Sequence, residues 1–178
     1  KYTSKSEINY LDADVSGMSV LNVHADVTEL STRVSGQSSI KLNGKVTTLK
    51  ADVSGMSHLE VNQVVKNGSC LVNCSGMGTM KTDLVDAHLE MNTSGTSVVH
   101  LKGSAKITEL TLSGASIIKA KDLTTEVLKA KLSGTSELTI KCITDAKVRA
   151  SGASVVKLGG SAFRSIEEST GTAKIKRF

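Results

Sequence analysis

Glu90 and Glu109 are nineteen residues apart and are the residues of this chain whose type and spacing come nearest to catalysis. Two carboxylates flanking a sugar bond hydrolyse it, and in retaining glycosidases they stand about 5 Å apart. Stacked on adjacent strands, these two would have backbones about 4.8 Å apart. Lys129 follows at the same phase, so a ladder of surface charges accounts for the pair equally well. No aromatic platform for a sugar lies near them. The glutamates are therefore weak catalytic candidates. No Ser/His/Asp constellation is legible, because the many serines recur with the chain's period and none stands apart. No glycine-rich loop precedes a helix as a phosphate cradle would require.

The other chemically capable residues point to structure. Cys70 and Cys74, four residues apart on an extended strand, would sit about 13 Å from each other, too far for a disulfide. Both read as small buried hydrophobes. Cys142 falls at a corner and is expected to be the more exposed thiol. His24, His58, His88 and His100 fall at four different phases of the repeat and do not stack. No cofactor and no metal site is expected.

What must position all of these is a period. A Ser-Gly step recurs at residues 16, 35, 54, 75, 94, 113, 133 and 151, and Thr170-Gly171 continues it, at intervals of 19, 19, 21, 19, 19, 20, 18 and 19. Self-similarity at this length means stacked units. With the Ser as position zero, positions +5 and +7 are apolar almost throughout, as in Ile40/Leu42, Val99/Leu101 and Leu138/Ile140. Positions −3 and −1 behave alike, as in Ala51/Val53 and Leu110/Leu112. This alternation predicts a strand on each side of the Ser-Gly with one buried face. Val27, Val46, Val65, Ala105 and Ala162 mark a third short strand, and Gly44, Gly103 and Gly160, all at +9, mark a second corner. Position +3 is Ser in seven of the first eight units, from Ser19 to Ser154, with Gly78 the exception. Parity turns these hydroxyls inward.

Coils of about 19 residues with three short strands describe an all-β fold, a single-stranded right-handed parallel β-helix of about nine coils, as one domain over 1–178. Antiparallel hairpins are the alternative, but they would want two comparable turns per period. At about 4.8 Å per coil the rod is on the order of 40 Å long. Aromatic content of 2%, with no Trp and no Pro, suits thin aliphatic layers and continuous ladders.

The net charge of +5 is uneven. Residues 1–118 hold 10 basic and 11 acidic groups, whereas 119–178 hold 12 and 6. A basic end favours anionic glycans, lipid headgroups or nucleic acid, and its ordinary reading is a solvated surface. Single-strand readers interleave stacking aromatics, which are missing here, so no nucleic-acid partner is expected. Outward position +6 forms a broken basic column through Lys41, Lys81, Lys119, Lys157 and Lys176. Beside it Met18, Val20, Met56, Met77, Val98, Ile117 and Val155 form an apolar strip on a face that parity calls exposed. Such a strip marks a partner surface or self-association into a homo-oligomer, weighed against scattered surface apolars on β-favouring strands.

The segments ADVSGMSVLNV, ADVSGMSHLEV, KLSGTSELTI and RASGASVVKL, with the closing GGSAFRSIEESTGTAKIK, make the chain resemble, over 8–178, the auto-transporter adhesin family with the head GIN domain. The resemblance implies a β-helical envelope or secreted protein of Bacteroidetes-type bacteria, often a lipoprotein, whose biochemistry is not established. A glycan or another surface protein is the partner expected of such an elongated face. Family members commonly carry a further N-terminal β-rich segment that is not seen here. No signal peptide is visible and the chain begins with Lys, so a processed protein with outer-membrane attachment through a lipid anchor outside this sequence is expected. The function expected is non-enzymatic, adhesin-like or structural. The alternatives are a carbohydrate-active lyase, hydrolase or binding module, and a self-assembling scaffold.

Overall fold

In the computed structural model, which describes residues 6–162 and 164–178, every regular element is a strand. In chain order these are β1 (Ser6–Val15), β2 (Val20–Val23), β3 (Ala25–Val34), β4 (Ser39–Val53), β5 (His58–Cys74) and β6 (Thr79–Thr93). They continue as β7 (Val98–Leu112), β8 (Ile117–Leu132), β9 (Glu137–Ala150), β10 (Val155–Gly159), β11 (Arg164–Ser169) and β12 (Lys174–Arg177). All pair in parallel, in the order β1-β3-β4-β5-β6-β7-β8-β9-β10-β12, with β2 on β4 and β11 on β9. This is a parallel β-solenoid of about nine coils.

The predicted inward columns are the core. Ile40, Leu59, Met80, Val99, Ile118, Leu138 and Val156 stack at +5, and Val34, Val53, Cys74, Thr93, Leu112 and Leu132 at −1, all buried. Burial alternates along each coil, as a strand with one inward face requires. Each of β4 to β9 runs without interruption from one Ser-Gly turn to the next. The corners that the sequence reading places between separate short strands are shifts of register within one strand, as between Leu42 and Lys45. Val46 pairs with Val64, and Val64 fills the middle column of its coil. The sequence pattern points to Val65 there, whose side chain lies outside the described residues. Ala162 packs against the core but belongs to no strand. At the +9 corner, a Cβ on Gly103 would lie 2.0 Å from the Leu84 carbonyl oxygen.

The Ser-Gly turn is where the chain is most constrained. The turn glycines from Gly17 to Gly171 all have φ between 68° and 76°, a region L side chains avoid. Each lies directly on the glycine one coil earlier, so that a Cβ on any from Gly36 onward would come within 2.5 to 3.0 Å of that glycine's carbonyl oxygen. This contact lets the ladder pass through the turn unbroken. The amide after each glycine donates to the glycine carbonyl one coil earlier, from Gln37 on Gly17 at 2.7 Å to Thr172 on Gly152 at 2.9 Å.

The +3 serines complete the turn from inside. Ser97, Ser116, Ser136 and Ser154 donate to the carbonyl of the Ser that opens their own turn, at 3.1, 3.0, 2.9 and 2.8 Å. Ser38 and Ser57 also reach the −1 carbonyl of the coil before, at 2.8 Å on Val15 and 3.0 Å on Val34. A buried hydroxyl with such partners avoids the desolvation cost of an unmade bond. Ser19 departs from its expected burial: it is exposed, in the first coil. Gly78 stands where a Cβ would press on Val53 Cγ1 at 2.9 Å and Cys74 Sγ at 3.2 Å. The Cys74 thiol takes up the vacated space and donates to the Gly78 carbonyl at 3.6 Å.

Two stability predictions follow from this packing. Among the described residues Gly17 has nothing within 4 Å of its would-be Cβ, whereas that of Gly95 would lie 2.6 Å from Gly76 O. Gly17→Ala should therefore cost only backbone strain, about 1–2 kcal/mol, and Gly95→Ala on the order of 3 kcal/mol or more; equal losses in urea denaturation would contradict the stacking argument. In the column Leu42–Val61–Thr82–Leu101, the buried Thr82 Oγ1 has no hydrogen-bond partner among the described residues. Thr82→Val should stabilise by about 1 kcal/mol, and a lower denaturation midpoint would count against it.

Candidate binding face

Because every coil repeats the same backbone path, an outward residue is defined by its column and coil. The structure pairs Glu90 with Glu109 across β6 and β7, as their phase requires. Glu109 then donates nothing to an acid pair: its carboxylate accepts from Lys129 Nζ at 2.8 Å, and that bond holds its pKa below the usual carboxylate range. A glycosidase general acid needs the opposite displacement. Glu90 is exposed. The arrangement at this place is a charge ladder.

The +6 column is a second ladder. Glu60 lies between Lys41 at 3.2 Å and Lys81 at 3.0 Å. Hydrogen bonds from Lys81 and then Lys41 depress the Glu60 pKa. One coil further His100 is lowered by its partial burial and then by Lys119, Lys81 and Lys102, so it favours the neutral form. Lys157, stacked on Thr139, reaches diagonally to Glu137 at +4, at 2.7 Å. On the other side of the turn, Asn73 donates to Asp52 at 2.8 Å and Asn92 to Asn73 at 3.3 Å, an amide ladder along position −2.

The apolar strip divides in two. Met18, Val20, Met56 and Met77 are strongly exposed, at 85%, 71%, 51% and 57%. Val98, Ile117 and Val155 are only half-buried and not free surface, because Val98 and Ile117 stack on each other. Position +2 projects from the turn itself, where neighbouring coils give no cover.

The cysteines are all free and all buried. Cys70 stacks on Leu49 and Cys74 on Val53, as expected. Cys142 corrects the expectation of an exposed corner thiol. It points inward, paired with Thr125, and lies 3.4 Å from the Glu126 carbonyl and 3.3 Å from that of Asp145. Burial raises its pKa, and that of Cys70 to about 12, so neither thiol has the thiolate character of a nucleophile at neutral pH. The histidines do not stack; His24 sits 3.3 Å from the Asn43 amide. Among the described residues no three His, Cys, Asp or Glu side chains converge to hold a metal ion.

One grouping went unread in the sequence. Positions −4 and −2 carry Lys129 and Lys131 on β8 and Lys147 and Arg149 on β9, and the register sets Lys129 against Lys147 and Lys131 against Arg149. They line one open groove. The excess of base after residue 118 was its signal, but only alignment of the columns collects the four onto one face.

The Glu60 ladder has a testable pH signature. A depressed carboxyl contributes stability that is present above its unfolded-state pKa and lost as pH falls through the folded one. The melting-temperature difference between wild type and Glu60→Gln should thus be largest near neutrality and close in acid. A difference that stays constant down to pH 3 would contradict the ladder.

No curated protein matches the chain closely enough to count as a relative. A family model does match, over residues 2–64 and 51–162, and its description reads "Putative auto-transporter adhesin, head GIN domain". Those spans run through nearly every coil, including the turn glycines and +3 serines on which the stack is built. The chain belongs to the auto-transporter adhesin family with the head GIN domain.

Proposed function

We propose that this protein is a non-enzymatic protein of the cell envelope or surface that holds a ligand along the outer face of its solenoid. One observation carries the reading. The columns that stay constant between coils face inward or form the turn, and the columns that vary face outward on a ladder that fixes their spacing. A stiff rod with a varied, regularly spaced surface suits adhesion. The adhesin description of the family supports the same reading and the envelope location. The glycan-cleaving alternative is disfavoured by Glu109, whose carboxylate is tied to Lys129 and acidified.

Self-association has its own observation in the exposed methionines of the turn column, of which Met56 and Met77 lie on adjacent coils. Two charges placed there should disrupt an apolar contact between copies.

Two experiments test these readings. A glycan array probed with the purified protein, with product analysis of every bound polysaccharide, should show binding without cleavage; released oligosaccharide would overturn the non-enzymatic reading. Met56→Glu with Met77→Glu should lower the mass seen by light scattering at high protein concentration, and an unchanged mass would remove self-association through this column.

A further inference from the structure

The stacked cations of β8 and β9 gather four like charges on one outward face. Along position +6 the charges alternate over Lys41–Glu60–Lys81, whereas pairs of like charge stand at Lys157 on Lys176 and at Glu90 on Glu109. On β8 and β9, Lys129 lies directly on Lys147 and Lys131 on Arg149. The four Cα positions form a rectangle of about 4.8 by 6.6 Å. Like charges placed opposite each other on neighbouring strands are destabilising. Acids relieve only the outer edges: Glu109 holds Lys129 at 2.8 Å, and Glu168 holds Arg149 at 2.8 Å. Lys131 and Lys147, on the diagonal, have no ion pair within 4 Å among the described residues, and both are exposed. Asp145 is the remaining acid beside Lys147, in a groove it shares with Arg164. At the first coil the same two columns carry Asp12 and Asp14, so the sign of this face reverses along the rod.

An unrelieved repulsion that the fold tolerates points to an anion supplied from outside. The floor beside the cations identifies its kind. The groove continues past Lys131 and Arg149 between Thr111, Ser133, Ser151 and Thr170, hydroxyl residues over an aliphatic floor, with Glu168, the partner of Arg149, also on its wall. Cations at sheet spacing beside a row of hydroxyls match a chain that carries both regularly spaced charge and hydroxyl groups. Among the described residues no aromatic side chain lines either groove, so they offer stacked bases no platform. Resting on the surface-binding reading above, we infer that Lys129, Lys131, Lys147 and Arg149 bind a linear polyanionic polysaccharide, sulfated or uronate-bearing, laid along the −4/−2 face.

The test is surface plasmon resonance at physiological ionic strength against immobilised heparin and dextran sulfate. Neutral dextran, single-stranded DNA and phosphatidylglycerol vesicles complete the set. Lys131→Gln with Lys147→Gln removes two charges that make no ion pair, so its melting temperature should hold or rise. Its affinity for heparin and dextran sulfate should fall about tenfold or more. Lys102→Gln with Lys121→Gln removes the same charge elsewhere and should retain binding within about threefold. An equal loss in that control overturns the site, since net charge would then explain the affinity. Tighter binding to DNA or to the vesicles than to the sulfated chains overturns the choice of partner. Binding to neutral glycans alone overturns the polyanion assignment and leaves the surface-binding reading standing. Degradation of the polysaccharide overturns that reading, and the inference with it.

Discussion

The structure depends on glycine lying on glycine. A solenoid can repeat only if the chain turns at the same place in every coil and the backbone ladder survives the turn. Here both conditions meet in one atom pair: the turn glycine's Cα side faces the carbonyl oxygen of the glycine below, with no room for a methyl group. The left-handed φ and the close approach each exclude other residues, and together they fix the coil. The consequences pass outward in order. A fixed turn fixes the parity of the strands on either side. Fixed parity sends alternate residues into thin aliphatic layers, and the +3 serines satisfy the turn carbonyls from within.

With the inside settled, the outside is free to vary, and its physics is that of parallel columns. Directly stacked residues decide each other's state. Opposite charges give the Glu60 ladder, amides give the Asp52–Asn73–Asn92 ladder, and β-branched pairs such as Val98 on Ile117 cover each other. Where columns run like on like and acids reach only part of the group, as at Lys129, Lys131, Lys147 and Arg149, the surface is left to be neutralised by something else. The proposed ligand class comes from the four cations that registry gathers there.

Most of the fold was legible in the sequence because the period is nearly constant and strand parity is strict. Cys70, Cys74 and the +3 serines landed where counting put them, apart from Ser19 in the first coil. Counting failed where coils change length. The interval to Ser75 is 21 residues, and its coil takes up the excess around Asn67, whose φ is +59°. Register also slips earlier in that coil, between Val61 and Gln63, so Val64 fills the column assigned to Val65. The interval to Ser151 is 18 residues, and the shorter coil draws Cys142 inward on Thr125. The candidate site was harder to see. Exposure of Val98 or Met77 depends on what lies above and below, and the four cations come from segments of unremarkable composition that only registry joins.

Native-state hydrogen exchange tests the central claim most directly. In an ordinary tight turn the amides exchange early, since they face water. Here the amides of Met56, Met77, Thr96, Ala115 and Thr135, each following a turn glycine, are bonded to the coil before at 2.8 to 2.9 Å. The account predicts that they are protected as strongly as the neighbouring strand amides of β5 to β8 and exchange only with them. Exchange of these amides at loop rates, while the strands stay protected, would show that the ladder breaks at each turn and would contradict it.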